Sequence, residues 1–410
     1  MPDNENKNRP RIAIVGIRGV PAAHGGFETF TEYLAPYLAA RGWSVKVYCQ
    51  EAEPPPPPVE GTVWETAWQG VVRLHIAVGP DTPGNSIRFD WSSIAHVIED
   101  RPDVVLMLGY NTAIFAARLR LAGIPTVINM DGIEYSRAKW SMLEKVWLYL
   151  NERAGCLFGN HLIADHPQIE SHLRLRTTPK KITVIPYGSE LHEPPRPDSA
   201  PDHAVLRRFS VESARFATLI ARPEPENSIL EMVRAFSAKP RGLHLLVLGN
   251  YYPDKVRYHA QVMAAASPEV RFVGGVYDKS AVFTLRRHCL LYLHGHQVGG
   301  TNPSLLEAMG AGNPVLAHEN RFNRWVVREG ARYFDDQPSC ERALDAYFGD
   351  ARDLAYRGEL NRRRAHQVFN WNEILQSYAE LLSSVSSLAA VRDAEVRCQR
   401  AQWRLDADSL

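Results

Sequence analysis

Cysteine, net charge and long apolar runs are all scarce in this chain. Its five cysteines, at 49, 156, 289, 340 and 398, are odd in number and show no C-x-x-C or other metal-ligand spacing. Reduced thiols are therefore expected, rather than a disulfide framework or a zinc site. A formal net charge of +1 argues against a dedicated nucleic-acid binder, whose domain would be clearly basic. The densest basic cluster, Arg362-Arg363-Arg364, reads as a solvated helix face. No apolar stretch approaches the roughly 20 residues needed to span a bilayer, and Met1 to Arg11 lacks the apolar centre of a signal peptide. The expectation is a cytoplasmic protein whose only membrane contact is peripheral, on the inner face of the cytoplasmic membrane. Also absent are HExxH, GxxxxGKS/T, GxSxG and GxGxxG. Metalloprotease, P-loop NTPase, serine hydrolase and dinucleotide enzyme thereby lose their strongest support.

What is present is an ordinary globular composition, 45% hydrophobic and 23% charged over 410 residues. That length suits two domains of about 180 residues each. Short apolar runs alternate with helical patterns: Ile12–Val15, Val45–Tyr48, Val72–Ile76, Val104–Leu108, Thr126–Ile128, Leu162–Ala164 and Thr183–Ile185 in the first half. The series restarts with Phe216–Ile220, Leu245–Leu248, Val270–Val273, Leu290–Leu293 and Val315–Ala317. Such alternation predicts an α/β fold of two Rossmann-like domains, each a parallel sheet covered on both faces. The expected organisation is a domain over 1–190, a linker over 191–208, a domain over 209–365, and a helix with a tail over 366–410. The linker contains the proline-rich Glu193–Pro201, which suits neither helix nor central strand. A second proline run, Pro54 to Pro58, reads as a polyproline surface loop.

The segment Gly299-Gly300-Thr301-Asn302-Pro303-Ser304-Leu305-Leu306-Glu307-Ala308-Met309-Gly310 is a glycine-rich loop entering a helix, after the apolar run ending at Leu293. Gly312-Asn313-Pro314 stops the helix and Val315 to Ala317 returns as a strand. Small residues let backbone N–H groups approach a ligand, and a helix N-terminus favours an anion. A phosphate or diphosphate fits, with Glu307 two turns along to accept bonds from sugar or ribose hydroxyls. The plainer alternative is a steric strand-to-helix turn with no ligand.

These residues resemble the donor segment of the retaining GT-B glycosyltransferases of family 4. The usual pattern there has two glutamates separated by seven residues; Glu307 matches the second, while Gly299 stands in place of the first. A bacterial rhamnosyltransferase-like branch is more similar, through Gly299–Ser304, through Gly16-Ile17-Arg18-Gly19-Val20-Pro21 with Gly25-Gly26-Phe27-Glu28-Thr29, and through Asn129-Met130-Asp131-Gly132-Ile133-Glu134-Tyr135. Arg137-Ala138-Lys139-Trp140 follows the last of these, and the resemblance runs from residue 12 to about residue 380. It implies a GT-B fold whose two parallel sheets face a central cleft, with the last helix crossing back to the first domain.

The resemblance also nominates site residues. Gly25 and Gly26 would lie near donor phosphates and acceptor, or simply form a tight turn, with His24 beside them as an incidental neighbour. Arg222 would bind the diphosphate, against the alternative of an ion pair with Glu224 or Glu226. Asn227 stands where the family has a second cation, a lysine, and can offer only a neutral bond. Asp131 would orient the acceptor hydroxyl or act as base, or else cap a helix, with Glu134 a weaker candidate. His294 and His296 would bond the donor sugar or phosphate rather than a metal. Gly299, Gly300, Thr301, Asn302 and Ser304 complete the donor loop. Asp406-Ala407-Asp408 is a superficial DxD in a polar tail and is given no metal role. The stripe Leu143, Val146, Trp147, Leu150, Ala154, Leu157, Phe158 reads as a core-facing helix side, with contact to a membrane surface as the alternative.

The implied activity is transfer of a sugar, L-rhamnose from dTDP-rhamnose, to a polyprenyl-diphosphate-linked saccharide in bacterial cell-surface polysaccharide synthesis. Asp131, Arg222 and Glu307 would be catalytic. No metal, other cofactor or nucleic acid is expected. Two rival expectations are a GT-B sugar-nucleotide epimerase and a nucleotide-sugar-binding protein without catalysis; the changes at Gly299 and Asn227 favour the latter of the two.

Overall fold

The computed structural model describes residues 9–22, 25–55, 61–137, 139–190 and 200–387. Of these, residues up to Tyr135, Trp140–Ile185 and those from Asn372 on form one compact unit, and Ser136–Lys139 with Pro186–Trp371 form a second. His24, most of the proline run at 54–58, the prolines of 193–197, Cys398 and Asp406–Asp408 lie outside the described residues.

The first unit is built on β1 (Arg11–Val15), β2 (Ser44–Glu51), β3 (Val63–Trp68), β4 (Val71–Ala77), β5 (Val104–Leu108), β6 (Thr126–Asn129), β7 (His161–Ala164) and β8 (Ile182–Val184). Their order is β3-β4-β2-β1-β5-β6-β7-β8, all parallel except β3. In the second unit β9 (Phe216–Ile220), β10 (His244–Leu248), β11 (Val270–Gly274), β12 (Leu291–His294), β13 (Val315–His318) and β14 (Ala331–Phe334) form a parallel sheet ordered β11-β10-β9-β12-β13-β14. Central strands such as Ile12–Val15 and Val104–Leu108 are buried throughout, as continuous apolar runs in doubly covered parallel sheets must be.

Each sheet reverses its strand order once, between β1 and β5 in the first unit and between β9 and β12 in the second. Helices leave neighbouring strands toward opposite faces there, so a crevice opens at the carboxyl ends, the usual place for a ligand. Register makes this concrete in the second unit: Ala217 of β9 pairs with Leu245 on one side and Leu291 on the other.

Two strands escape the apolar-run reading. β3 is an edge strand of alternating exposed and half-buried residues, joined to β4 by the Gln69–Gly70 hairpin turn with φ of 47° and 77°. β14 is four residues long with Arg332 in it. Part of the expected linker is a helix, Ala200–Arg208. Pro201 is tolerated in its first turn, Leu206 is buried, and Asp202 accepts bonds from Thr284 (3.2 Å) and His288 (3.1 Å).

The apolar stripe of helix Met142–Phe158 does not face the core. Ala154 is buried, but Leu143, Val146, Trp147, Leu150 and Leu157 are exposed, while Leu148, Asn151, Glu152, Gly155 and Cys156 point inward. The polar residues face inward because partners await them. Asn151 Oδ1 accepts from the Ile114 N–H at 2.9 Å, and Glu152 pairs with His172 (2.9 Å) and Arg176 (2.5 Å). The helix starts in a Ser141–Glu144 capping box and ends under Lys181, whose Nζ donates to the Cys156 carbonyl at 2.8 Å. Residues 372–387 are helical, and Tyr378 there packs its ring against Phe30 and accepts from Asn129 Nδ2 at 2.8 Å, all within the first unit.

The four described cysteines are free and buried, and burial pushes their thiols up, Cys49, Cys156 and Cys289 to about 11.

Candidate functional site

The β9/β12 crevice of the second unit gathers most of the nominated residues. Arg222 leaves the end of β9 with an exposed side chain and no ion pair among the described residues. Glu226, one of its rival partners, is instead bound to Arg137 at 3.2 Å. The Arg222 carbonyl accepts from Asn227 Nδ2 at 2.8 Å and from the Glu224 N–H at 2.7 Å, so the buried Asn227 shapes the turn that presents Arg222. Ser228 follows in the left-handed region (φ 47°), bonds the Gly295 carbonyl through its hydroxyl at 2.9 Å, and starts helix Ile229–Ser237. A Cβ on Gly295 would overlap the Asn227 carbonyl oxygen, so only glycine allows the two loops to pack this closely.

His294 ends β12 and stacks on His296, with ring centroids 4.4 Å apart. Both ring nitrogens of the buried His294, and Nδ1 of His296, lack hydrogen-bond partners among the described residues. Burial drives the His294 imidazole well below its ordinary range, with His296 and His318 adding to the shift. His296 is pushed down to about 4 by burial and then by the Arg137 and Arg222 guanidinium groups. Both rings are neutral near pH 7. The His296 carbonyl is fixed by amide donors from Asn320 (3.0 Å) and Asn323 (2.9 Å).

The loop then opens. Gly299 has φ of 134°, and a Cβ there would meet nothing within 4 Å. Thr301 is buried, its hydroxyl accepting from the Tyr187 N–H at 3.2 Å, and Asn302 caps helix Pro303–Gly310 by accepting from the Ser304 N–H at 3.0 Å. Ser304 meets the Tyr292 hydroxyl at 2.7 Å and accepts from Arg286 at 3.0 Å. Arg286, almost wholly buried, also holds one oxygen of Glu307 at 2.5 Å. Burial pushes the Tyr292 phenol up to about 12, keeping its proton in place. The nominated set thus divides. Arg222 is exposed and Gly299, Gly300, Asn302, Ser304 and Glu307 are half-buried, whereas Asn227, His294 and Thr301 are buried beneath the turn.

In the first unit the corresponding edge is occupied by the protein itself. Gly25 (φ 73°) leads into helix Gly26–Ala40, and a Cβ there would lie 2.5 Å from Glu28 Oε2. Glu28 accepts from the Arg18 N–H at 3.1 Å and Glu32 from the Ala22 N–H at 2.6 Å. Asp131 also lies at this sheet's carboxyl edge, with φ of 48° and its N–H on Asn129 Oδ1 at 3.0 Å. The next α-helix, Met142–Phe158, takes its cap from Ser141. Glu134 is buried, and its N–H donates to the Tyr110 hydroxyl at 2.7 Å.

Residues 24–193 match the family described as Glycosyltransferase Family 4. No curated protein matches the chain. Among solved structures, sucrose-phosphate synthase from Thermosynechococcus elongatus is 18% identical, with a TM-score of 0.78 over 93% of this chain and 100% of that one. HepE from Anabaena, in complex with UDP-glucose, gives 17% and 0.69 over 92% and 99%. The catalytic domain of starch synthase IV from Arabidopsis thaliana, bound to ADP and acarbose, gives 14% and 0.71 over 92% and 99%. The fold is that of the GT-B glycosyltransferases.

Within a GT-B frame the departures from the family pattern have local counterparts. The position of the first glutamate is an open glycine, and the second, Glu307, is held by a buried arginine. Sequence reasoning missed Arg286, Tyr292, Gln297 and the Asn320–Asn323 pair. Gln297 donates to the Ser228 hydroxyl at 2.9 Å and through its N–H to the Glu226 carbonyl at 3.0 Å. Arg286 sits in the run Arg286-Arg287-His288 at a helix C-terminus, where cations belong for helix-dipole reasons. Nothing in the letters marks it as the partner of Glu307 and Ser304.

Proposed function

We propose that the chain is a retaining glycosyltransferase that holds a nucleoside-diphosphate sugar at the β9/β12 edge and passes the sugar to a lipid-linked saccharide. The observation that carries the reading is that Arg222, without an ion pair among the described residues, the open Gly299–Gly300 turn and the anchored Glu307 all lie at that edge. Arg222 supplies paired, charge-assisted bonds to the diphosphate, each worth about 1.5–3 kcal/mol. The N–H groups after Gly299 add fixed dipoles where charge grows on the leaving phosphate. Glu307, oriented by Arg286, accepts from ribose or sugar hydroxyls.

In the reaction, the bond from the sugar's anomeric carbon to the phosphate oxygen breaks and one to the acceptor oxygen forms on the same face. The acceptor proton goes to the departing phosphate. Asp131 serves the acceptor, orienting its hydroxyl. The Gly-Gly-Thr-Asn-Pro-Ser loop supports dTDP-rhamnose as donor and a polyprenyl-diphosphate saccharide as acceptor, and the shared fold of HepE with UDP-glucose supports a nucleoside-diphosphate donor in general.

The test is nucleotide release from dTDP-, UDP- and GDP-sugars with and without lipid-linked acceptors. Acceptor-dependent release from one donor, lost in Arg222→Ala and Glu307→Ala, is the expected result. Donor binding without release across the acceptors would overturn it in favour of a binding protein.

A further inference from the structure

Helix Met142–Phe158 is amphipathic the wrong way round. At 100° per residue, Met142, Leu143, Val146, Leu150 and Leu157 fall within one arc of the helix, and that arc faces solvent. Leu143 is 85% exposed and Leu157 65%, whereas Glu152 on the opposite side is 1% exposed. Scattered apolar side chains on a surface need no explanation, but a continuous row on one helix does. The row widens onto its neighbour: Ile114, whose N–H bonds Asn151, and Leu121 at the end of helix Ala116–Leu121 are also exposed. Trp147 and Tyr149 sit at its flanks, partly exposed, with the Trp147 indole N–H fixed on the Asn111 carbonyl at 2.8 Å.

The charges say what covers this face. Arg153 lies within the exposed arc between Leu150 and Leu157, its guanidinium over the Tyr149 ring at 5.4 Å. Lys145 borders the arc, and the helix C-terminus is crowned by Lys181, next to exposed Lys180. The one exposed carboxylate of the helix, Glu144, is engaged by Ser141 in the capping box. A second copy docked on the same face would set this positive face against itself. An anionic surface with an apolar interior suits the cations and the leucines together, and aromatic rings at the flanks match a lipid–water boundary.

We infer that this face of the first unit is a docking surface for an anionic lipid bilayer. The helix lies along the headgroup layer with Leu143, Val146, Leu150 and Leu157 inserted and Arg153 among the phosphates. No helix among the described residues is long and apolar enough to cross a membrane. The inference does not depend on the transferase reading, though a lipid-linked acceptor would be presented at such a surface.

The experiment is sedimentation of the full chain with vesicles of phosphatidylcholine alone and of phosphatidylcholine with one-third phosphatidylglycerol. Wild type should pellet with the anionic vesicles, and the triple variant Leu143→Glu/Leu150→Glu/Leu157→Glu should bind at least about tenfold more weakly. Arg153→Glu should lose several-fold on anionic vesicles only, which keeps the test alive should the triple variant misfold. Nucleotide affinity, read by calorimetry on the same samples, should not change in either variant, so failure of docking is distinguishable from failure of the donor site. Wild type that stays in solution with anionic vesicles would overturn the inference. So would a stable dimer by ultracentrifugation that the triple variant converts to monomer.

Discussion

After β1 and after β12 the chain makes a glycine-rich turn into a helix. In the first unit the protein's own carboxylates hold that turn, whereas in the second it stands open. Glu28 and Glu32 take the N–H groups of Arg18 and Ala22, and Glu28 fills the space beside Gly25. A Cβ on Gly299 would meet nothing within 4 Å among the described residues, and Glu307, the first acid along its helix, is held by Arg286. A glycine pair before a helix therefore reports a backbone conformation, not a ligand. Whether an anion can use the turn depends on where the next acid sits and what holds it.

The largest expected effect is in how the two units respond to acid. In the second unit His294 and His296 are held below their ordinary range, so between about pH 6.5 and 4 the unfolded chain binds protons that the folded chain does not. Their contribution is complete above the ordinary value and falls as pH drops through that window, by at most about 1.4 kcal/mol per pH unit for each imidazole. In the first unit Asp90 is pushed up to about 6, chiefly by burial, so its contribution has the opposite sign and is lost as pH rises from about 4 to 6. Urea unfolding at a series of pH values should show a decline below pH 6.5 in wild type and a shallower one in His294→Leu/His296→Gln. An unchanged slope would mean that the stacked pair is not neutral.

Next in size is a crossed pair of substitutions. Glu28→Ala orphans a backbone N–H and should cost about 1–3 kcal/mol of stability with nucleotide affinity intact. Arg222→Ala should leave thermal stability unchanged and weaken nucleotide binding by about 1.5–3 kcal/mol, roughly 10- to 100-fold. Calorimetric titration and thermal melts of both variants decide it. Loss of binding in Glu28→Ala without loss of stability would show that the first turn is a phosphate site. The glycines sharpen the same contrast more gently. Gly25→Ala meets both a positive φ and Glu28, and should cost about 1–3 kcal/mol; Gly299→Ala meets only its φ, and its main effect should be on nucleotide affinity.

Much of the architecture was legible because doubly covered parallel strands are written as short apolar runs; Ile12–Val15 and Val315–Ala317 are examples. β3 was not, since an edge strand exposed on alternate residues carries no such run, although Gln69-Gly70 before β4 was a usable hairpin signal. The stripe on helix Met142–Phe158 was read correctly as apolar and wrongly as inward-facing. Periodicity tells which residues share a side, and only the buried partners of Asn151 and Glu152 tell which side is inside. At the β9/β12 edge the motif letters named the loop, but not that Asn227, Thr301 and Asn302 are spent on its own geometry, nor that Arg286 reaches it from a neighbouring helix.

Asn227 gives the smallest and most discriminating prediction. It occupies the position where the resembling family has a lysine, yet its amide points at the Arg222 carbonyl from within the protein. Removing that amide leaves the carbonyl with the Glu224 N–H at 2.7 Å, so no acceptor is orphaned. Asn227→Ala should therefore cost about 0.5–1.5 kcal/mol of stability and shift nucleotide affinity only a few-fold, through looser placement of Arg222. The double variant with Arg222→Ala should bind no worse than Arg222→Ala alone, because the two act through one guanidinium. Additive losses in that cycle would instead put the Asn227 side chain on the phosphate, and the second turn would then have two ligating side chains rather than one.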